Sequence, residues 1–422
     1  MAIIDGIFGR DKAIKKQEVR KMKRLSGGID VGSESHHIII LDDEDNVLYN
    51  KKVAHKLNEF TESIKLFKKI EKKEGGKISF ALEGKNGYSN PLDRILLAQG
   101  FTLYNVDNLK LKRFRQAFAG EWRDDQRDSL MLSKMLKLKE HLNSQREKVF
   151  IKIEKPSPLI ESLKLLSRHQ QTLIDEKVRL INRLRKKLLE VCPQILKLAK
   201  PKNKKIIAIL AKYPDFSKYK RITLKSLLKI KGIGKKQAPF LLKRLNHIEY
   251  MPGLTNIYKT IILSYAQRIL ELQKEIKDID KSLDEIGEKN KEVNHLKTIP
   301  GVATKLASRL IGEIGDINRF PSGKQLAIYC GVACVNNNSG KVTKAKAVYK
   351  ANKICKQTLI TMAGGSIRLS LQCKAYYLKK RMEGKSHNHT LRCLARQMIK
   401  VIHRMLIEDR DYMVRKELKK IA

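Results

Sequence analysis

A chain of 422 residues, 42% hydrophobic and 32% charged, carries enough apolar material for two or three cores and is neither disordered nor fibrous in composition. Lys and Arg number 89 against 44 Asp and Glu, a net charge of +45, which excludes an ordinary metabolic-enzyme surface and calls for a polyanion, usually nucleic acid. No run of 18 apolar residues occurs, so no membrane span is expected, and six scattered Cys without a Cys-X-X-Cys pair argue against zinc or a disulfide framework and fit a reducing cytoplasm.

Residues 1–26 read as a basic N-terminal extension rather than a signal peptide. Residues 27–150 read as an α/β domain. "GGIDVGSESHHIIILDDEDNVLYNKKVA" predicts two or three strands with a tight turn at "DDEDN". "KLNEFTESIKLFKKIEKKEGG" predicts an amphipathic helix stopped by glycine, and "KISFALEG" a strand ending on Glu83. "NPLDRILLAQG" predicts a helix, "FTLYNVD" a strand, and a further helix runs from about Leu109 to Phe118. A strand hairpin, then helix, strand, helix, strand is the order of an RNase H-like core.

Residues 151–294 read as a helical, coiled-coil-like region. "LIESLKLLSRHQQTLIDEKVRLINRLRKKLLEV" and "IYKTIILSYAQRILELQKEIKDIDKSLDEI" have apolar residues at helical spacing and predict an antiparallel pair, either a plain spacer or a dimerising arm. Two stretches, "LLKIKGIGKKQAPFLLKRL" and "LKTIPGVATKLASRLIGEIG", place a glycine turn before a helix. That is helix-hairpin-helix grammar, in which backbone N–H groups at a helix start can meet a phosphate; the second copy, at Gly301, is the better match. Residues 295–422 predict a mostly helical C-terminal domain. Within it "VACVNNNSGKVTKAK" (332–346) reads as a polar turn.

The first domain places acids where such a fold gathers them. Asp30 ends the first strand and Glu83 another, while Asp125 and Asp128 stand three apart on one helix face. Four hard oxygen donors of this kind suit Mg²⁺, and two ions ~3.5–4 Å apart clamp a phosphodiester. The same "GIDVGSES" could open the phosphate loop of an actin-like sugar kinase, but a kinase has no use for +45 or for the Asp125/Asp128 pair, and no second phosphate loop follows.

On "GIDVGSES", "LEGKNGY", "DDQRD", "RLINRLRKKL" and "TIPGVATKLASRLIGEIGDINRFPSGKQLAIYCGV", the chain resembles transposases of the insertion-sequence one-ten family. These pair a RuvC-like DEDD domain with a C-terminal serine domain. The likeness spans about residues 27–140 and 295–410. It departs from the family pattern at Asp124 (usually Thr or Ser), Ser129 (usually Ala), Cys334 (often Pro) and Ala351 (commonly Gly). The resemblance implies a DNA recombinase acting on donor and target DNA, directed by a non-coding guide RNA. It implies Asp30, Glu83, Asp125 and Asp128 as metal-binding acids, and places the nucleophilic serine at Ser339 in "NNNSGKVTKAK". No general base neighbours Ser339 in sequence, so its activation is expected from metal. Lys341, Lys344 and Lys346 are the expected phosphate-neutralising residues. A homodimer or homotetramer in the cytoplasm, at the nucleoid, is the expected working form. Two other function classes stay open: a RuvC-type junction nuclease that needs the acids but not Ser339, and a non-catalytic nucleic-acid binder using the glycine turns.

Overall fold

The computed structural model describes residues 23–84, 87–117, 124–142, 149–155, 157–198, 203–251, 253, 255–339, 342–347 and 351–414. It divides into two compact units, Met1–Lys155 and Pro156–Ala422.

In the first unit β1 (Lys23–Val31), β2 (Ser35–Leu41) and β3 (Val47–Ala54) form an antiparallel meander. The "DDEDN" turn forms as expected: the Asp42 carboxylate accepts from the backbone N–H of Glu44 and of Asn46, each at 2.9 Å, while Asp45 adopts a φ of 67°. Helix α1 (Leu57–Glu74) ends at Gly75, whose φ of 65° and N–H bond to Glu71 O form a left-handed cap. Strand β4 (Gly76–Glu83) lies parallel to β1; α2 (Asn90–Ala98) leads to β5 (Thr102–Val106), parallel to β4. Helices α3 (Asn108–Gln116), α4 (Asp125–Lys137) and the short α5 (Lys139–Leu142) precede β6 (Phe150–Lys152). β6 is an antiparallel edge strand beside β5 that the sequence pattern did not announce. The order β3-β2-β1-β4-β5-β6 is consistent with an RNase H-like core, with β1 near its centre.

Adjacent glycines in β1 serve opposite faces of this sheet. A Cβ on Gly27 would stand 2.2 Å from the Phe80 ring, which belongs to the aromatic core of Phe60, Phe67 and Phe101. A Cβ on Gly28 would stand 1.9 Å from the backbone oxygen of Ser129 in α4. Ser129 and Ser133, one turn apart, complete this close seam by donating to the carbonyls of His37 (2.8 Å) and Ile39 (3.0 Å). Small residues on both elements thus let α4 lie directly on β1.

His36 of β2 is fully buried, stacked near Phe60 with its ring centre 4.2 Å from that of His55. Burial, then the neighbouring His55, pushes its pKa down from 6.5 to about 4. As pH falls below 6.5, the unfolded chain takes up a proton that the folded one refuses, so stability is lost through that window. His36→Phe is expected to remove about 2 kcal/mol of the stability loss between pH 6.5 and pH 5, read as a flatter urea-midpoint profile against pH. An unchanged acid limb would contradict this.

The second unit is built on α6 (Pro158–Val191) and α11 (Thr255–Glu288), the two long helices expected from periodicity. They run antiparallel: Gln170 meets Asp280, Arg268 Nε reaches Glu176 at 3.3 Å, and Tyr258 donates to Glu190 at 3.1 Å. Between them lie α7 (Ile195–Leu198), α8 (Lys204–Lys212), a 3-10 turn (Phe216–Arg221), α9 (Leu224–Leu228) and α10 (Ala238–Asn246), around a core they share with the two long helices. After α11 come α12 (Lys291–Lys297), α13 (Thr304–Ile314), α14 (Gly323–Tyr329), a hairpin of β7 (Cys334–Ser339) and β8 (Val342–Ala347), α15 (Lys353–Leu369), α16 (Leu371–Met382) and α17 (His387–Ile407). No helix among the described residues is long and apolar enough to cross a membrane.

Candidate active site

β1 and β4 are parallel neighbours with Ile29 opposite Leu82, so Asp30 and Glu83 emerge at the same edge of the sheet. Asp125 and Asp128 lie in the first turn of α4, where the helix dipole favours negative charge. Asp124 caps that helix, accepting from Arg127 N at 2.6 Å, and so does the work of the Thr or Ser usual there. The Gly28 seam docks α4 so that Ser129 Oγ accepts from Asp30 N at 3.3 Å while lying 2.8 Å from Asp125 O. One hydroxyl therefore ties the strand tip to the helix start.

Arg115 of α3 joins the group. Its Nη2 donates to Glu83 Oε2 at 2.8 Å, and its Nε lies 3.0 Å from Asp128 Oδ1 in an ion-pair contact. Exposed Lys52 stands 4.0 Å from Asp125. Negative charge still exceeds positive. Burial, then Asp128 and Asp125, raise the Asp30 pKa from 3.8 to about 6; Arg115 opposes the rise, and Glu83 adds to it. All four sequence-predicted acids thus act on one electrostatic centre. Among the described residues no three His, Cys, Asp or Glu side chains already stand as an ion-holding group. The Arg115 fork between Glu83 and Asp128 accounts for part of that spacing. Hard oxygens with surplus negative charge nevertheless fit a divalent cation, which would relieve the repulsion on Asp30. Arg115 and Ser129 were not predicted as site residues. Nothing in "KRFRQ" separates Arg115 from Arg113, because only its reach across to β4 does so.

In the second unit Ser339 is the last residue of β7, paired with Val342. The polar turn expected over 332–346 is therefore a two-stranded hairpin. Its tip residues, Gly340 and Lys341, and the side chains of Ser339, Lys344 and Lys346 lie outside the described part. The base of the hairpin is well anchored. Asn352, just beyond β8, donates its backbone N–H to Tyr329 O at 2.8 Å and caps α15 through Ile354 and Cys355 N–H at 3.0 Å. Its amide also donates to Glu313 Oε2 at 2.7 Å and to Tyr329 Oη at 3.0 Å. Glu313, 1% exposed, accepts a two-pronged contact from Arg168 at 2.6 and 2.9 Å. Burial opposes its ionisation, but the bonds from Arg168 and Asn352 prevail and hold its carboxyl below the usual range.

Gly301 takes a φ of 87°, as a glycine turn requires, but a Cβ there would stand 2.5 Å from the backbone of Gly365 in α15. That turn is a packing point between helices. The first copy, at Gly232 and Gly234, faces open space.

Residues 27–193 match the IS110 DEDD transposase family, and residues 293–378 match the Transposase IS116/IS110/IS902 family. The chain is 25% identical over 395 residues to the 44.8 kDa protein of insertion element IS116 from Streptomyces clavuligerus, covering 92% of this chain and 96% of that protein. It is 23% identical over 407 residues to the 42 kDa protein of insertion element IS900 from Mycobacterium paratuberculosis, covering 91% and 96%. It is 22% identical over 164 residues to the transposase for insertion sequence element IS1111A from Coxiella burnetii, covering 38% and 45%. With a carboxylate-rich sheet edge in a +45 chain and both matched domains in order, the protein belongs to the IS110 family of insertion-sequence transposases.

Proposed function

We propose that this transposase cuts and rejoins DNA through a covalent link between Ser339 and a DNA phosphate, with divalent metal, two Mg²⁺ ions in the full reaction, held by Asp30, Glu83, Asp125 and Asp128. The observation that carries the metal assignment is the raised pKa of Asp30 among three other carboxylates at one sheet edge. The likeness of "NNNSGKVTKAK" to the family's serine segment carries the assignment of Ser339. In the first step Ser339 Oγ bonds to phosphorus as the bond from phosphorus to a deoxyribose oxygen breaks. The serine gives up its proton and the leaving oxygen gains one, so one phosphodiester replaces another. Attack by a hydroxyl of a second strand reverses the exchange and frees the serine. Metal held by these acids would supply charge stabilisation to a reacting phosphate. Ser129 and Arg115 hold the acids in place. Lys341, Lys344 and Lys346 neutralise phosphate charge beside Ser339. A guide RNA selects donor and target DNA, the working form is a homodimer or homotetramer, and the reaction proceeds at the nucleoid.

End-labelled DNA incubated with protein, Mg²⁺ and the element's own RNA tests this on a denaturing gel. A retarded band that proteinase collapses is the expected covalent adduct. Ser339→Ala is expected to lower the adduct at least about a hundredfold. An adduct that survives this substitution rules out Ser339, and clean cleavage without adduct favours the RuvC-type metal nuclease.

A further inference from the structure

Residues 194–292 lie between the two family-matched ranges, and the stretch 194–250 carries sixteen Lys and Arg against two acids, Asp215 and Glu249. Both acids are engaged locally. Asp215 caps the 3-10 turn through Ser217 N at 3.1 Å, and Glu249 accepts from Gln194 Nε2 at 2.8 Å. The helices of this stretch turn their apolar side chains into a core shared with α6 and α11, so the positive charge is left on the outside.

The glycine-turn motif "KIKGIGKKQAPFLLKRL" ends in α10, and α10 forms one wall of a concave pocket of about 550 Å³. Gln194, Lys197, Phe240, Lys243, Arg244 and His247 line it. Phe240 is 60% exposed, and the Arg244 guanidinium lies 4.8 Å from its ring centre. A bare aromatic ring beside an arginine plane, within a basic rim, is a surface for a base with its phosphates. Duplex DNA shows its phosphates outward and keeps its base faces stacked, so it could use the rim but not the ring. Unpaired nucleotides use both. Staggered strand cutting by a transposase exposes such nucleotides.

We propose that this pocket binds unpaired, single-stranded DNA, with a base stacked on Phe240 and Arg244 and the flanking phosphates met by Lys197 and Lys243. This rests on DNA as the transposase's substrate and is independent of the role given to Ser339.

Photocrosslinking of the full-length protein tests it without any cleavage step. A short oligodeoxynucleotide carrying 5-iodouracil is irradiated with the protein, and the labelled peptides are mapped. The expected result is a crosslink at Phe240 or His247, suppressed by excess unlabelled single-stranded DNA and retained when excess duplex is the competitor. Phe240→Ala is expected to weaken binding of that oligonucleotide about tenfold, and Lys243→Gln with Arg244→Gln to lower the salt slope of binding by about 1.4. These side chains are exposed, so an unchanged unfolding midpoint certifies the variants. Crosslinks confined to other regions, an unaltered affinity in Phe240→Ala, or a matched RNA that binds the pocket tenfold more tightly than DNA would each overturn the proposal.

Discussion

Asp30→Asn is expected to raise the metal-free thermal midpoint of the N-terminal unit by about 3 °C while lowering strand cleavage at least about a thousandfold. The two effects share one cause. Above pH 6 the Asp30 carboxylate is charged, half-buried and close to three more acids, with Arg115 the nearest compensating charge. Asparagine keeps the shape and removes the repulsion, so the apo fold relaxes. It also removes the donor that metal would need. At pH 8, Mg²⁺ or Mn²⁺ should therefore stabilise the wild type, since a ligand that binds only the folded state raises its stability. The Asn variant should gain much less. Hydrogen exchange on β1 and β4 reports this unit alone, which matters in a chain with two compact parts. A wild type indifferent to divalent cations, or an Asn variant that still cuts DNA, would defeat the assignment.

Gly28→Ala should be nearly as damaging to activity without touching a charged group. The new methyl would meet Ser129 O at 1.9 Å and Ser133 N at 2.7 Å, both backbone atoms that no rotamer change can move. Helix α4 must lift from β1, at a cost of about 3 kcal/mol or more. Lifting α4 withdraws Asp125 and Asp128 from Asp30 and breaks the Ser129 link. Gly87→Ala is the control: a Cβ there meets nothing within 4 Å, and its φ is not in the left-handed region. Urea unfolding should separate the two variants clearly. Equal stability for both would mean that the seam is looser than its contacts indicate.

What the sequence made legible follows from the range over which each signal acts. Asp30 and Glu83 could be found because strand ends are marked locally, by glycine and by the end of an apolar run. Asp125 and Asp128 could be found because a spacing of three defines a helix face. Arg115 could not, since its meaning comes from the packing of α3 beside α4 and β4. Strand β7 was read as a turn because Asn is disfavoured in strands, and its strand character comes from pairing with β8. At Gly301 the local motif was legible, but the glycine's close fit against α15, more than sixty residues later in the chain, was not. The Glu313–Asn352–Tyr329 group was equally silent, because its members are separated by intervening elements.

One further consequence lies in the way α6 hands the chain to the basic helical segment and α11 takes it back. Met251 N donates to Val191 O at 2.8 Å, and Tyr258 reaches Glu190 across the same junction. The excursion therefore starts and finishes at one spot, yet it is not separable: Ile207 and Leu210 of α8 are buried in one cluster with Leu184 and Leu188 of α6 and Ile262 and Ala266 of α11, so the segment and the long helices should open as one cooperative unit.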